Sequence, residues 1–163
     1  MDTVSIDSLS LYSQLGSPGA ALLLDVRRDA AFDADDRLLA GALRAPANLV
    51  EFAGRMAQGR QVVVYCVHGH EVSQDAASAL RAGGLPALYL VGGIEAWKAG
   101  KFPTVLVLFA GMKQVDKGHL NVQFAGRFEG GDEAGTQVPV TTIRFACRNG
   151  QWQVDTTKAA KAP

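Results

Sequence analysis

From residue 1 to about residue 103, short apolar runs alternate with stretches whose apolar residues recur every three or four positions. That alternation is the pattern of parallel strands joined by crossover helices. Residues 21–26, ALLLDV, are apolar up to Asp25, as expected of a strand covered on both faces. Residues 61–67, QVVVYCV, and 87–91, ALYLV, read the same way, the latter running into Gly92-Gly93. Helical spacing links Ile6, Leu9 and Tyr12, with Ser5 as the expected cap and Gly16 and Pro18 as the stop. A short helix is expected from Asp29 to Phe32, and another begins at Asn48 and carries Leu49, Phe52 and Met56. The segment between them, DADDRLLAGALRAP, reads as turns. Two more helices are expected, one from Val72 to the Gly83-Gly84 stop and one that presents Ile94 and Trp97 before Gly100.

Beyond Pro103 the pattern changes to long strand-like runs, TVLVLFAGM, HLNVQFAGRF and VPVTTIRFACRNGQWQV, separated by glycine-rich links. Asn149-Gly150 between two such runs is a type I′ hairpin signal. The expected organisation is an α/β domain over residues 1–103 and a β-rich extension over 104–163. Trp152, Phe124, Phe128 and Phe145 are the expected core of the extension, Cys147 is a packed strand cysteine, and the tail TTKAAKAP frays. So few residues rich in glycine can hardly build a large core alone. They are expected to pack on the α/β part or to complete a partner's sheet.

Composition narrows the chemistry. Sixteen Lys and Arg balance sixteen Asp and Glu, so the chain lacks the broad positive field that grips nucleic acid or anionic lipid. Two cysteines, Cys66 and Cys147, are too few for a disulfide framework or a cysteine-only zinc site. The amino terminus lacks a basic region followed by an apolar one, and the longest uncharged apolar run, Phe102 to Met112, is too short for a bilayer, so a soluble, cytoplasmic protein is expected.

Cys66 ends a buried strand and enters a glycine turn that opens a helix. In an open α/β sheet that place borders the crevice beyond the carboxyl ends of the strands. Amides of the turn and the helix amino end lower a thiol pKa there and can hold an oxyanion or a transferred sulfur. Gly69 lets the backbone curl, and His68 and His70 donate hydrogen bonds or titrate near neutrality. A cysteine that only packs at a strand end is the bland reading, and the strand end, glycine turn and helix start together tell against it.

These motifs resemble the rhodanese-like sulfurtransferase family over residues 4–103. The carriers of the resemblance are Asp25-Val26-Arg27 with Phe32 and the run from Gly41 to Pro46, then Val62 to Cys66 with His68 and Gly69, and finally Leu88 to Val91 with Gly92, Gly93 and Trp97. The resemblance implies an open five-stranded parallel sheet flanked by helices, needing no metal or organic cofactor. It further implies that Cys66 takes sulfane sulfur from a small donor, thiosulfate- or mercaptopyruvate-like, as a persulfide and passes it to a thiol or cyanide. The backbone of Val67, His68, Gly69, His70, Glu71 and Val72 is then the persulfide cradle. Asp25, Arg27, Gly92, Gly93 and Trp97 form the structural signature, Arg27 as a buried ion pair.

The chain departs from the family in one respect. Active members often carry a cation in the loop, whereas CVHGHEV has none and includes Glu71, which disfavours a dianionic donor. The related phosphatases and arsenate reductases grip their oxyanion with an arginine six residues after the cysteine, and Val72 stands there. The spacing Cys66-x-His68-x-His70 also permits a metal, but alternate residues of an irregular loop need not converge. The alternative to an enzyme is a binding or sensor module for a protein, metal or oxyanion, with weak activity and the β extension supplying contacts to a protein partner. Redox sensing or oxyanion handling through the same thiol is a third reading.

Overall fold

A computed structural model describes residues 4–129, 135 and 137–155, of which 108–112, 129 and 137–141 by backbone alone. Its elements run β1 (Ser5–Ile6), α1 (Ser8–Gln14), β2 (Leu22–Asp25), α2 (Asp29–Ala34), β3 (Leu38–Leu39), β4 (Ala42–Arg44), α3 (Leu49–Ala57), β5 (Val62–Tyr65), α4 (Glu71–Ala82), β6 (Ala87–Leu90), α5 (Gly93–Ala99), β7 (Thr104–Asp116), β8 (His119–Glu129), β9 (Gln137–Arg148) and β10 (Gln151–Val154). The chain divides into two units, Met1–Leu106 with Phe128–Gly135 and Val107–Arg127 with Thr136–Pro163.

In the first unit five strands form a sheet in the order β1-β6-β5-β2-β4, and every pairing is parallel. Side chains alternate across a strand, so β2 and β5 feed two cores at once. Leu23, Val63 and Tyr65 face Leu11 of α1 and Ile94 and Trp97 of α5, while Leu22, Leu24, Val62 and Val64 face Ala53 and Ala57 of α3 and Ala77 and Leu80 of α4. The unbroken apolar runs of the two central strands follow directly, since no face of either strand meets water. Each fully buried Leu or Val contributes about 1.5 to 3 kcal/mol by leaving water.

Several sequence expectations need correction. Ser5 does not cap a helix: Ser5 and Ile6 pair in parallel with Tyr89 and Leu90, and Asp7 caps α1 by accepting from the Ser10 amide at 2.9 Å. Leu11 is the buried residue of α1, and Leu9 and Tyr12 are exposed. The supposed turns between residues 33 and 46 hold two strands; β4 closes one edge of the parallel sheet, and β3 pairs antiparallel with Thr104 and Val105. In α3 the inward residues are Ala53 and Ala57, and Met56 is exposed.

The second unit is antiparallel β. β9 and β10 pair from Arg148 with Gln151 to Phe145 with Val154 across the two-residue Asn149-Gly150 loop. Both loop residues have positive φ, 53° and 76°, the requirement of a type I′ turn. Trp152, expected in the core, is 46% exposed on β10, Phe124 and Phe145 are half-buried, and Phe128, which falls in the first unit, is half-buried as well. Cys147 is a half-buried free thiol directly opposite Trp152. The tail expected to fray, residues 156–163, lies outside the described residues.

Candidate active site

Parallel register pairs Asp25 with Tyr65, so β2 and β5 end side by side and the segments that follow them meet at the crevice beyond the sheet. A cavity of about 230 Å³ opens there. The segment after β2 lines it with Arg27, Arg28 and Ala31, and the segment after β5 with Cys66, Val67, His68, His70, Glu71 and Val72. Two larger hollows, about 490 and 360 Å³, border the amino ends of the strands and are lined by no cysteine or histidine.

Cys66 is 6% exposed at the floor of this cavity. Its thiol donates to the Ser73 hydroxyl at 3.1 Å, and that hydroxyl donates to the His70 carbonyl at 3.2 Å. Burial raises the thiol pKa. The Ser73 hydroxyl and the amides of Ser73, Gly69 and His70 act the other way and prevail, leaving the pKa below its ordinary value. Of the six residues expected to cradle a sulfur, all but Gly69 line the cavity, and the Gly69 amide reaches the sulfur.

The glycines explain how the loop is held. Amides of α5 reach under it, Ile94 donating to the Cys66 carbonyl at 3.0 Å and Glu95 to the Val67 carbonyl at 3.1 Å. Gly93 has φ +58°, and a Cβ there would collide with both of those carbonyls. Gly69, at φ +73°, fits the other side of the contact, where a Cβ would stand 2.6 Å from the Gly92 nitrogen and the Leu90 carbonyl oxygen. Backbone thus packs on backbone with no room for a side chain. The family model described as "Rhodanese-like domain" matches residues 8–100.

The chain belongs to the rhodanese-like family. A protein of Allochromatium vinosum named "Sulfurtransferase" is 33% identical over 101 residues, covering 61% of this chain and 92% of that protein. Among solved structures, a rhodanese-related protein of Thermoplasma volcanium is 27% identical with a TM-score of 0.52, covering 63% of this chain and 98% of that one. A rhodanese-like domain of Anabaena is 32% identical with a TM-score of 0.53, covering 64% and 79%.

Within this rhodanese-like domain Asp25 and Arg27 form a buried pair. The guanidinium donates to both carboxylate oxygens, the shortest contact being 2.6 Å, and its remaining donors reach the Asp35 carbonyl at 2.6 Å and the Arg37 carbonyl at 2.8 Å. Burial opposes the Arg27 cation and Asp25 outweighs it, so the group stays charged. The guanidinium groups of Arg27 and Arg44 both lie over the Phe32 ring, 5.1 and 4.7 Å from its centre. Trp97, fully buried, donates from Nε1 to the Pro103 carbonyl at 2.9 Å. These residues shape the loop ends of β2 and α5. Arg27 alone among them lines the cavity, and its donors are already committed.

Three contributors to the site were absent from the sequence reading: Ser73, Arg28 and Ala31. Ser73 lies one turn into α4, where helical phase turns position 73 inward to Cys66. Arg28 caps no charge: among the described residues its guanidinium has no ion pair and no hydrogen-bond acceptor. The rings of His68 and His70 sit 5.9 Å apart, both exposed. Among the described residues no three metal-ligating side chains gather, and no helix is long and apolar enough to cross a membrane.

Proposed function

We propose that the protein is a sulfurtransferase that carries sulfane sulfur as a persulfide on Cys66. One observation supports this reading above the others: a nearly buried thiol whose pKa is nevertheless lowered by a serine hydroxyl and three backbone amides. A site that only packs a cysteine has no use for donors that stabilise its anion.

With thiosulfate as donor, the Cys66 thiolate attacks the outer sulfur. The new bond joins Sγ to that sulfur, the old sulfur–sulfur bond breaks, and sulfite leaves with the electron pair. A thiolate or cyanide then attacks the outer sulfur of the persulfide and returns Cys66 as a thiolate. Both steps are two-electron displacements that balance without a further reagent. When the thiol ionises, the Ser73 hydroxyl turns its proton from the His70 carbonyl to Sγ, so the same side chain serves both protonation states. The cradle amides that favour the thiolate also favour the anionic outer sulfur of the persulfide, and on discharge they favour Sγ as the leaving thiolate. Hydrolysis of a phosphate ester has no comparable support, because Val72 stands where a bidentate arginine would be needed.

The test is intact-protein mass spectrometry after incubation with a sulfur donor. We expect a mass gain of one sulfur on the native chain, reversed by cyanide, and none on Cys66→Ser. Absence of that gain with every donor, in folded protein, would overturn the reading in favour of a binding module.

A further inference from the structure

The cavity above Cys66 carries one uncommitted charge of each sign. Arg28 comes from the segment after β2 and Glu71 from the first turn of α4, so they enter the cavity from different elements. Both are exposed, and among the described residues neither makes an ion pair with the other or with anything else. Every other arginine near this end is occupied: Arg27 by Asp25, Asp35 and Arg37, and Arg44 by Asp29 and the Asp25 carbonyl. The rest of the lining is mostly apolar, with Ala31, Val67 and Val72. A small site with separated, unpaired opposite charges on an apolar wall is complementary to a small dipolar molecule.

We propose that Arg28 and Glu71 determine donor specificity, and that the sulfur carrier they select is an amino-acid-sized persulfide bearing both a carboxylate and an ammonium group. This rests on the sulfurtransferase reading of Cys66. Arg28 meets the carboxylate as a planar two-donor fork, and Glu71 meets the ammonium. The cavity volume sets the size: about 230 Å³ is below the roughly 300 to 1,000 Å³ of pockets that enclose drug-sized ligands. The reaction is Cys66–S⁻ attacking the outer sulfur of R–S–SH. The Sγ–S bond forms, the bond within R–S–SH breaks, and R–S⁻ leaves with its pair, while the proton stays on the transferred sulfur. A dianion such as thiosulfate meets Arg28 favourably and Glu71 unfavourably, and it gains nothing from the pair as a whole.

Three persulfides that differ only in charge test this: those of cysteine, of 3-mercaptopropionate with a carboxylate alone, and of cysteamine with an ammonium alone. Transfer is read as kcat/KM, with Cys66 loading followed by mass. The native protein should prefer cysteine persulfide over each of the others by about threefold or more, the order of one half-solvated ion pair. Arg28→Gln should erase the preference over the cysteamine compound, and Glu71→Gln that over the mercaptopropionate compound. Arg28→Lys and Glu71→Asp should restore each in part. Equal use of all three persulfides by the native protein, or variants that lower all three alike, would overturn the charge selection while leaving Cys66 chemistry intact. No loading from any of them, with thiosulfate still loading Cys66, would overturn the donor proposal alone, and no loading from thiosulfate either would overturn both readings.

Discussion

The Cys66 sulfur and the Ser73 oxygen stand 3.1 Å apart, joined by a hydrogen bond although seven positions separate them in the chain. Ser73 is fully buried, so this hydroxyl has no water to turn to and is held for the sulfur and the His70 carbonyl. Ser73→Ala should therefore raise the Cys66 pKa. At neutral pH we expect alkylation of Cys66 by iodoacetamide to slow by about threefold to tenfold, the loss of one hydrogen bond to an anion. The sign follows from the lowered pKa of the native thiol: the pH profile of alkylation should move to higher pH in the variant. An unmoved profile would show that the amides alone set the thiolate.

Gly93 and Gly41 both have positive φ, yet they should respond differently to alanine. At Gly41 an added Cβ meets nothing within 4 Å, so Gly41→Ala bears only backbone strain of about 1 kcal/mol, with sulfur transfer kept. At Gly93 the Cβ falls on the carbonyls of Cys66 and Val67, so Gly93→Ala must push the loop off α5. We expect transfer to drop at least tenfold there. Thermal melts and single-turnover rates on both variants check the contrast.

Removing one side of the Asp25 and Arg27 pair should cost far more than a surface ion pair. Both side chains are essentially without solvent contact, so Arg27→Met leaves the buried carboxylate only the amide of residue 27 and Arg44 at 3.7 Å, and leaves two carbonyls without their guanidinium donors. We expect a loss of about 3 to 5 kcal/mol by denaturant titration. The double change Asp25→Asn with Arg27→Met should recover part of it, since no net charge is then stranded.

Asp35 supplies an acid-sensitive clamp. Arg37 donates to it at 2.7 Å and Lys98 at 2.9 Å, and hydrogen bonding by Arg37 holds its carboxyl well below the ordinary 3.8. Its stabilising contribution is present above pH 3.8 and fades as pH falls toward the lower folded value. Asp35→Asn should lower Tm near neutrality and flatten its decline below about pH 4. Parallel melting curves for native and variant protein across that range would refute this.

Much of the fold was legible because the buried parallel strands leave unbroken apolar runs. Leu22 to Leu24 and Val62 to Val64 announce themselves, and so do the glycine pair and Trp97. β3 and β4 were not legible, since two or three residues cannot display a period. Trp152 shows the limit of reading aromatics as core: on the short strand β10 every residue is exposed. Within the site, Cys66 was visible from its own neighbours. Arg28 was not, because a search for a cation within residues 66–72 cannot see that register pairing of Asp25 with Tyr65 brings the segment after β2 to the same opening. Ser73 was hidden by helix phase rather than by distance in sequence.

The near-complete burial of Cys66 bears on what happens after loading. A sulfur–sulfur bond is about 2 Å long, so a persulfide would set its terminal atom that much nearer the mouth than Sγ itself. The transferred sulfur would then be the exposed tip and the Cys66 sulfur its shielded stem. Bulky thiols and oxidants would collide with the delivered atom before they could cap the cysteine, so a loaded protein should resist inactivation better than an empty one.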